Sequence, residues 1–137
     1  MSDADRAKAF YVERLGRPLD AGFPIDDGYR NAHVTPPGSG CSIIFGEGLT
    51  EQAARTLHGL QLTVTDIVEA RQELTSRGVR VSGPFRDESG AFHHAGDAHR
   101  VPGLHPERAG YGTFAAFADP DGNEWFLQEV TERAPGR

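Results

Sequence analysis

Two stretches of this chain read alike, and their likeness restricts the fold more than any other feature. One runs from Asp3 to Gly16 with twelve residues between them; the other runs from Asp66 to Gly78 with eleven. Asp3 aligns with Asp66, Ala7 with Ala70, Lys8 with Arg71, Tyr11 with Leu74 and Arg14 with Arg77. Both have the apolar spacing of an amphipathic helix, an acidic start and a terminal glycine able to take a left-handed conformation. Ser2 with Asp5, and Asp66 with Glu69, have capping-box spacing. A chance likeness of two amphipathic helices is the competing reading.

The strand-like runs after each helix favour a repeat. After the first helix they fall at 17–25, 29–35 and 41–46, punctuated by Asp26-Asp27-Gly28 and Pro36-Pro37-Gly38-Ser39-Gly40. After the second they fall at 79–85, 111–118 and 124–130, with Asp119-Pro120-Asp121-Gly122 before the last. A further run at 59–64 leads into the second helix, so the second half reads βαβββ. By the repeat, a matching strand should end where Met1 stands. Either translation starts further upstream, for example at a valine codon, or the first module manages without that strand. The expected organisation is one domain: a first module over 1–46 lacking its leading strand, a linker at 47–58 with room for one short helix, a second module over 59–130 and a tail at 131–137. The length of 137 residues suffices for a real core.

Composition excludes several function classes. A net charge of -6 without a basic cluster argues against nucleic acid. No apolar run is long enough for a membrane span, and no signal-peptide pattern follows Met1, so the expected location is cytoplasmic. Cys41 is the one cysteine, which rules out an internal disulfide or a thiolate cluster; at a strand start it is expected to be a small buried residue. There is no phosphate-binding glycine loop with a lysine, no serine elbow and no Cys-His nucleophile pattern.

The chain resembles the vicinal oxygen chelate superfamily, which includes glyoxalase I, bleomycin- and fosfomycin-resistance proteins and extradiol dioxygenases. The resemblance rests on the stretch from Ser2 to Tyr11, on Leu62-Thr63-Val64-Thr65-Asp66-Ile67, and on Phe117-Ala118-Asp119-Pro120-Asp121-Gly122-Asn123. It implies an α+β fold of paired βαβββ modules whose curved sheets form a cup with the helices outside, commonly as a homodimer. In metal-dependent members, His or Glu ligands face the cup. Two ligand positions fall by motif on Gly59 and Phe126, neither able to ligate through a side chain, and a third would lie before Met1. His58 is one residue from the first position, and strand alternation would turn it to the other face. A preformed catalytic metal site usually needs three or more such ligands, so no metal ligands and no cofactor are expected, with a divalent metal as the alternative.

Alternation along the strands assigns the two faces. Leu60, Leu62, Val64, Trp125 and Leu127 should pack under the helices. Gln61, Thr63, Glu124, Phe126 and Gln128 should face the cup, joined by His33 from the first module. The long segment 86–109 carries His93, His94, His99 and His105 and should form a partial lid, with 91–94 as a short strand directing one of His93 and His94 inward. Three function classes remain open. One is a metal-free binding protein for a small organic ligand, using Gln61, Thr63, Phe126, Gln128 and His33. Another is a metal-dependent lyase, isomerase or dioxygenase with relocated ligands such as His93, His99 and His105. The last is a metal-free enzyme in which His93 or His94 works with Glu124 as an acid–base pair. Surface or hydrogen-bonding roles for these histidines are the plain alternative. The lost ligand positions favour the first and last classes.

Overall fold

A computed structural model describes residues 2–25, 29–90, 93–133 and 135. Met1, the Asp26-Asp27-Gly28 turn and the Ala91-Phe92 half of the expected 91–94 strand lie outside the described residues. Helix α1 (Ala4–Ala9) begins at Asp3, whose carboxylate accepts from the Arg6 amide at 2.9 Å. The Ser2–Asp5 capping box is not formed: Ser2 instead donates its amide to Asp121 at 2.8 Å, and its hydroxyl bonds the same carboxylate. Helix α2 (Ile67–Ser76) begins at Asp66, which accepts from the Val68 and Glu69 amides.

The repeat is visible in the details of both helix ends. After α1 the backbone widens into one π turn over Phe10–Arg14, closed by Leu15 donating to the Phe10 carbonyl at 3.0 Å. A π turn inserts one residue into a helix, which accounts for the extra residue between Asp3 and Gly16. Gly16 and Gly78 both take left-handed φ, +63° and +80°. Across the interface the two arginines trade places: Arg14 donates to the Gly78 carbonyl at 2.8 Å, and a Cβ at Gly16 would collide with the Arg77 guanidinium. The first turns match as well. Ala4 donates its amide to Glu47 at 2.8 Å, and Ile67 donates to Glu129 at 2.9 Å. In each module a glutamate from the last strand satisfies an orphan amide of the helix.

Three strands, β1 (Leu19–Ile25), β2 (Tyr29–Val34) and β3 (Ile43–Glu47), form an antiparallel sheet in that order. Among the described residues β3 is an edge, where a leading strand would pair. The second sheet holds β4 (Leu60–Val64), β5 (Phe85–Asp87), β6 (Arg100–Pro102), β7 (Phe114–Ala118) and β8 (Glu124–Glu129), in the order β4-β8-β7-β5-β6. β4 and β8 run parallel, and the long connection that such a pair needs carries α2 and the strands between them.

One core joins the modules. Phe10, Tyr11, Ala32, Val34 and Phe45 from the first meet Ile67, Leu74, Phe117, Trp125 and Leu127 from the second. Leu60, Leu62 and Val64 pack against it as alternation predicts. The buried Tyr11 hydroxyl donates to Asp119 at 2.8 Å and accepts from the Trp125 indole at 3.0 Å. Asp119 also receives the Asp121 and Asn123 amides, which folds the Asp-Pro-Asp-Gly-Asn turn. Burial and the Asp119 charge push the Tyr11 hydroxyl pKa well above its ordinary range. On the opposite, inner face of the second sheet, Phe85, Phe114 and Phe126 form a smaller cluster with Ala116.

Several expected elements differ. The run 79–85 is not a continuous strand: Val81 makes a single bridge to Phe117 and β5 starts only at Phe85. Ser82 intervenes, its amide donating to the Ala116 carbonyl and its hydroxyl accepting the Ala116 amide, so a side chain stands in for part of the ladder. Pro84 then has no amide to offer. The strand expected from Tyr111 starts at Phe114, because Tyr111 has φ +72°. No helix forms among the residues of the 47–58 linker. Cys41 is exposed rather than buried: it lies two residues before β3, held by the Ser39 hydroxyl. Within the segment 86–109, β5 and β6 form a hairpin that pairs Asp87 with Arg100.

Candidate functional site

The inner face of the second sheet is built from β4, β8, β7, β5 and β6, and its aromatic floor is Phe126. Register sets Gln61 of β4 beside Phe126 of β8, and Phe126 beside Ala116 of β7. With a small alanine on one flank and a polar amide on the other, the Phe126 ring is covered from above by the side chains of His93 and Arg100, and is buried. The hairpin tip between β5 and β6 brings His93 onto it. The imidazole centroid lies 4.4 Å from that of Phe126 at 37°, and 5.1 Å from that of Phe114, edge-on.

Both His93 ring nitrogens are engaged. Nδ1 lies 3.1 Å from the His94 carbonyl and Nε2 lies 3.1 Å from Gln61 Nε2. A carbonyl only accepts, so Nδ1 donates to it, while Nε2 faces the Gln61 amide; the ring is held at both nitrogens and lies tilted against the Phe126 ring. His93, His58, Gly59, Ala95, Gly96, Glu124 and Phe126 line a pocket of about 380 Å³, which is within the size range of small-molecule sites.

Arg100 of β6 extends across the same floor. Its guanidinium carbon stands 4.4 Å from the Phe85 centroid and 5.4 Å from that of Phe126. Its charge faces Asp97 at 3.7 Å and Glu124 at 3.9 Å. Beyond the pocket, the hairpin is tied by two carboxylate–imidazole pairs: Asp87 with His94 at 2.8 Å, and Glu88 with His99. The His94 and His99 rings lie 4.3 Å apart. Hydrogen bonds from the Ser89 hydroxyl and amide and from His94 hold the Asp87 carboxyl below the usual carboxylate range. The Glu88 carboxylate raises the His99 pKa above its ordinary value.

The structure thus brings His93, Gln61, Glu124 and Phe126 together, as alternation and the lid expectation predict. It does not bring in the rest. Gln128 is buried and donates to the Tyr111 carbonyl at 3.1 Å, so it braces the approach to β7. Thr63 lines a separate cleft of about 520 Å³ at the edge of β4, with Arg17 and the 36–43 segment, and Gln61, although bonded to His93, lines this cleft too. His33 lies on the β2 face opposite Ala32 and Val34, paired with Ile44, and is not among the residues lining the His93 pocket. His94 points to Asp87, away from Glu124. His105 accepts amides from Glu107 and Ala109 within its own turn. His58 was expected on the outer face, yet it lines the pocket: β4 begins only at Leu60, and Gly59 takes φ +76°, which breaks the alternation before the strand. A glycine just ahead of an alternating run is the signal that could have found it; Arg100, in a strand of three residues, gave none.

These donors do not fit a divalent metal. Gly59 and Phe126 have no side-chain donor, Gln61 is a neutral amide, and the His93 nitrogens are engaged by Gln61 and the His94 carbonyl; His58 and Glu124 on the same pocket wall do not converge with His93 on one point. No three His, Cys, Asp or Glu side chains converge among the described residues. A relocated site made from His93, His99 and His105 is not assembled.

The chain belongs to the glyoxalase/bleomycin resistance protein/dioxygenase superfamily, whose model matches residues 1–127. Solved structures agree with that membership. The chain is 29% identical to TnmS3, an antibiotic binding protein from Streptomyces sp. CB03234, over 92% of this chain and 85% of that one, with a TM-score of 0.66. It is 30% identical to a glyoxalase/bleomycin resistance protein from the same organism, over 94% and 93%, with a TM-score of 0.67. The fosfomycin resistance protein FosX of Listeria monocytogenes, solved with Mn(II) and a dihydroxypropylphosphonic acid, shares the fold at 16% identity, over 94% and 85%, with a TM-score of 0.56. No curated protein matches the chain in sequence. Among the described residues no helix is long and apolar enough to cross a membrane.

Proposed function

We propose that this protein binds a small, flat organic molecule on the inner face of its second sheet, and does so without a metal. The observation that carries this reading is the His93 imidazole packed at 4.4 Å against Phe126 and held at both nitrogens. It forms a preorganised aromatic and polar lining where metal-dependent relatives would need a donor. Stacking and edge contacts with such rings favour conjugated ligands, and the rigid imidazole lowers the ordering cost of binding. The likeness to TnmS3, an antibiotic binding protein, supports sequestration of an organic compound as the role. Glu124 and His58 on the pocket wall support a second reading, acid–base chemistry on the same ligand. The protein acts as a homodimer in this proposal, because β3 presents an edge that a second copy can cover, and it works in the cytoplasm.

The test is a nuclear magnetic resonance titration of the isotope-labelled protein with a set of flat aromatic fragments. Shift changes concentrated at His58, His93, Glu124 and Phe126 are expected. Changes centred on Thr63 and the 36–43 segment would move the site to the other cleft and overturn the assignment.

A further inference from the structure

We infer that the protein carries a second binding site, on the helix side of the fold and away from the His93 pocket: a cleft whose arginines receive the phosphoryl group of a small molecule. The cleft has a volume of about 550 Å³ and lies between α1, the chain just after α2 and the turn that follows β7. Arg6 and Arg14 line it from one side and Arg80 from the other, with Phe10, Gly78 and Asp119 between them. Among the described residues none of these arginines has a carboxylate partner. The Arg14 guanidinium gives one hydrogen bond to the Gly78 carbonyl, at 2.8 Å, which places it at the cleft wall. Four of its five N–H donors remain for another acceptor.

The repeat supplies an internal comparison. The alignment that sets Arg14 on Arg77 also sets Phe10 on Glu73 and Arg6 on Glu69. In the second helix Glu73 holds Arg77 at 2.6 Å, one turn away. In the first, that position is the buried Phe10, and the position a turn earlier carries another arginine. The acidic partner that one module supplies within its own helix is missing from the other. The acids nearby are committed elsewhere. Both Asp119 oxygens accept, from Tyr11, Asn123 and two amides of the turn. Asp121 holds Ser2, Asp5 pairs with Arg30, and Asp3 caps α1. Glu13 is not among the residues lining the cleft. Three arginines against the one carboxylate of Asp119 leave two positive charges in the lining, within a chain of net charge -6. A phosphoryl group carries about -1.5 to -2 charge at neutral pH and three acceptor oxygens. It matches both the net charge and the number of arginines, whereas a carboxylate matches neither. Guanidinium forks suit phosphate oxygens two at a time. The negative remainder of the molecule disfavours a nucleic acid, and the cleft has the size that small ligands take. A phosphate ester, a diphosphate and the free ion share this chemistry, and the experiment separates them.

The probes are ribose 5-phosphate, pyrophosphate, inorganic phosphate and, as the carboxylate control, acetate. Each is titrated into the isotope-labelled protein and followed by nuclear magnetic resonance, at about 150 mM salt so that diffuse attraction is screened. At least one phosphoryl probe should saturate, with shift changes confined to Arg6, Arg14, residues 78–80 and the 118–120 turn, while acetate gives none. Arg6→Gln and Arg80→Gln should each weaken binding about fivefold, the upper end for an exposed ion pair. Ala9→Glu sets a carboxylate at an exposed helix position that lines the cleft, and should abolish binding. Lys8→Gln removes a positive charge from the same helix outside the lining, and should leave the affinity unchanged. Tightest binding of the ester or of pyrophosphate names the ligand class; equal affinity for inorganic phosphate names the free ion. Binding that weakens as much in Lys8→Gln as in Arg80→Gln would reveal a diffuse surface effect and overturn the site. Shift changes centred elsewhere, or saturation by none of the phosphoryl probes, would overturn it as well.

Discussion

At the scale of single residues, two neighbouring histidines show how one peptide step divides labour. His93 turns to Phe126 and Gln61; His94 turns to the buried Asp87, and its ring lies against that of His99. The outer pair gives the hairpin a pH dependence of definite sign. Glu88 raises the His99 pKa above its ordinary 6.5. A raised folded-state pKa means that protonated His99 is favoured by folding. Its stabilising contribution is full below the unfolded value and fades as pH rises through the folded one. The His99 imidazole should accordingly titrate above 6.5 in an NMR pH series, and Glu88→Gln should bring the midpoint down. A midpoint that ignores the substitution would disprove the pairing. Much of the inner lining was legible at this scale. Side chains two apart on a strand share a face, so the inward turn of Gln61, Glu124 and Phe126 follows from local pattern alone. Arg100 and the use of Gln128 were not legible. Arg100 reaches the floor because β6 pairs with β5 across a hairpin, and Gln128 is spent on a carbonyl seventeen residues away.

At the scale of elements, the doubled helix ends are what the sequence announced most clearly. Asp3 and Asp66 cap, Gly16 and Gly78 close, and Arg14 and Arg77 reach across to the opposite glycine. Capping and closure depend on one or two residue types at fixed offsets, so they survive without knowledge of the tertiary structure. The elements that were misjudged depend on partners. Ser82 replaces a rung of the ladder, and β5 and β6 exist only as each other's pairing, in runs of three residues. The shared design makes a clear expectation. Gly78→Ala places a side chain at φ +80°, with its Cβ 2.8 Å from Arg14 Nη1. Left-handed geometry in a non-glycine residue costs roughly 1–2 kcal/mol. Urea denaturation should show a loss of that size without a change in m-value. An unaltered midpoint would mean that this closure is not conformationally demanding.

At the scale of the whole molecule, the asymmetry between the modules matters most. Among the described residues the second sheet has five strands and the first has three, although their helices, glycines and glutamate caps correspond. Among the described residues β3 lies at an edge, and the proposed dimer would cover it. Light scattering at about 100 µM, far above usual dimer dissociation constants, should return twice the 14.8 kDa chain mass; a monomer there would reject the assembly. The asymmetry extends to the site. The described residues around the His93 pocket come from the second sheet, from the hairpin between β5 and β6, and from the end of the segment that joins the two sheets, and the pocket floor is a phenyl ring. The central claim is therefore that organic binding there owes nothing to a divalent ion. It is tested most directly by calorimetric titration of 2-naphthoate into the protein, with and without excess chelator. The account predicts saturable binding with the same affinity and enthalpy in both cases. Binding that disappears with chelator and returns on addition of Mn(II) or Zn(II), or no binding in either case, would contradict it.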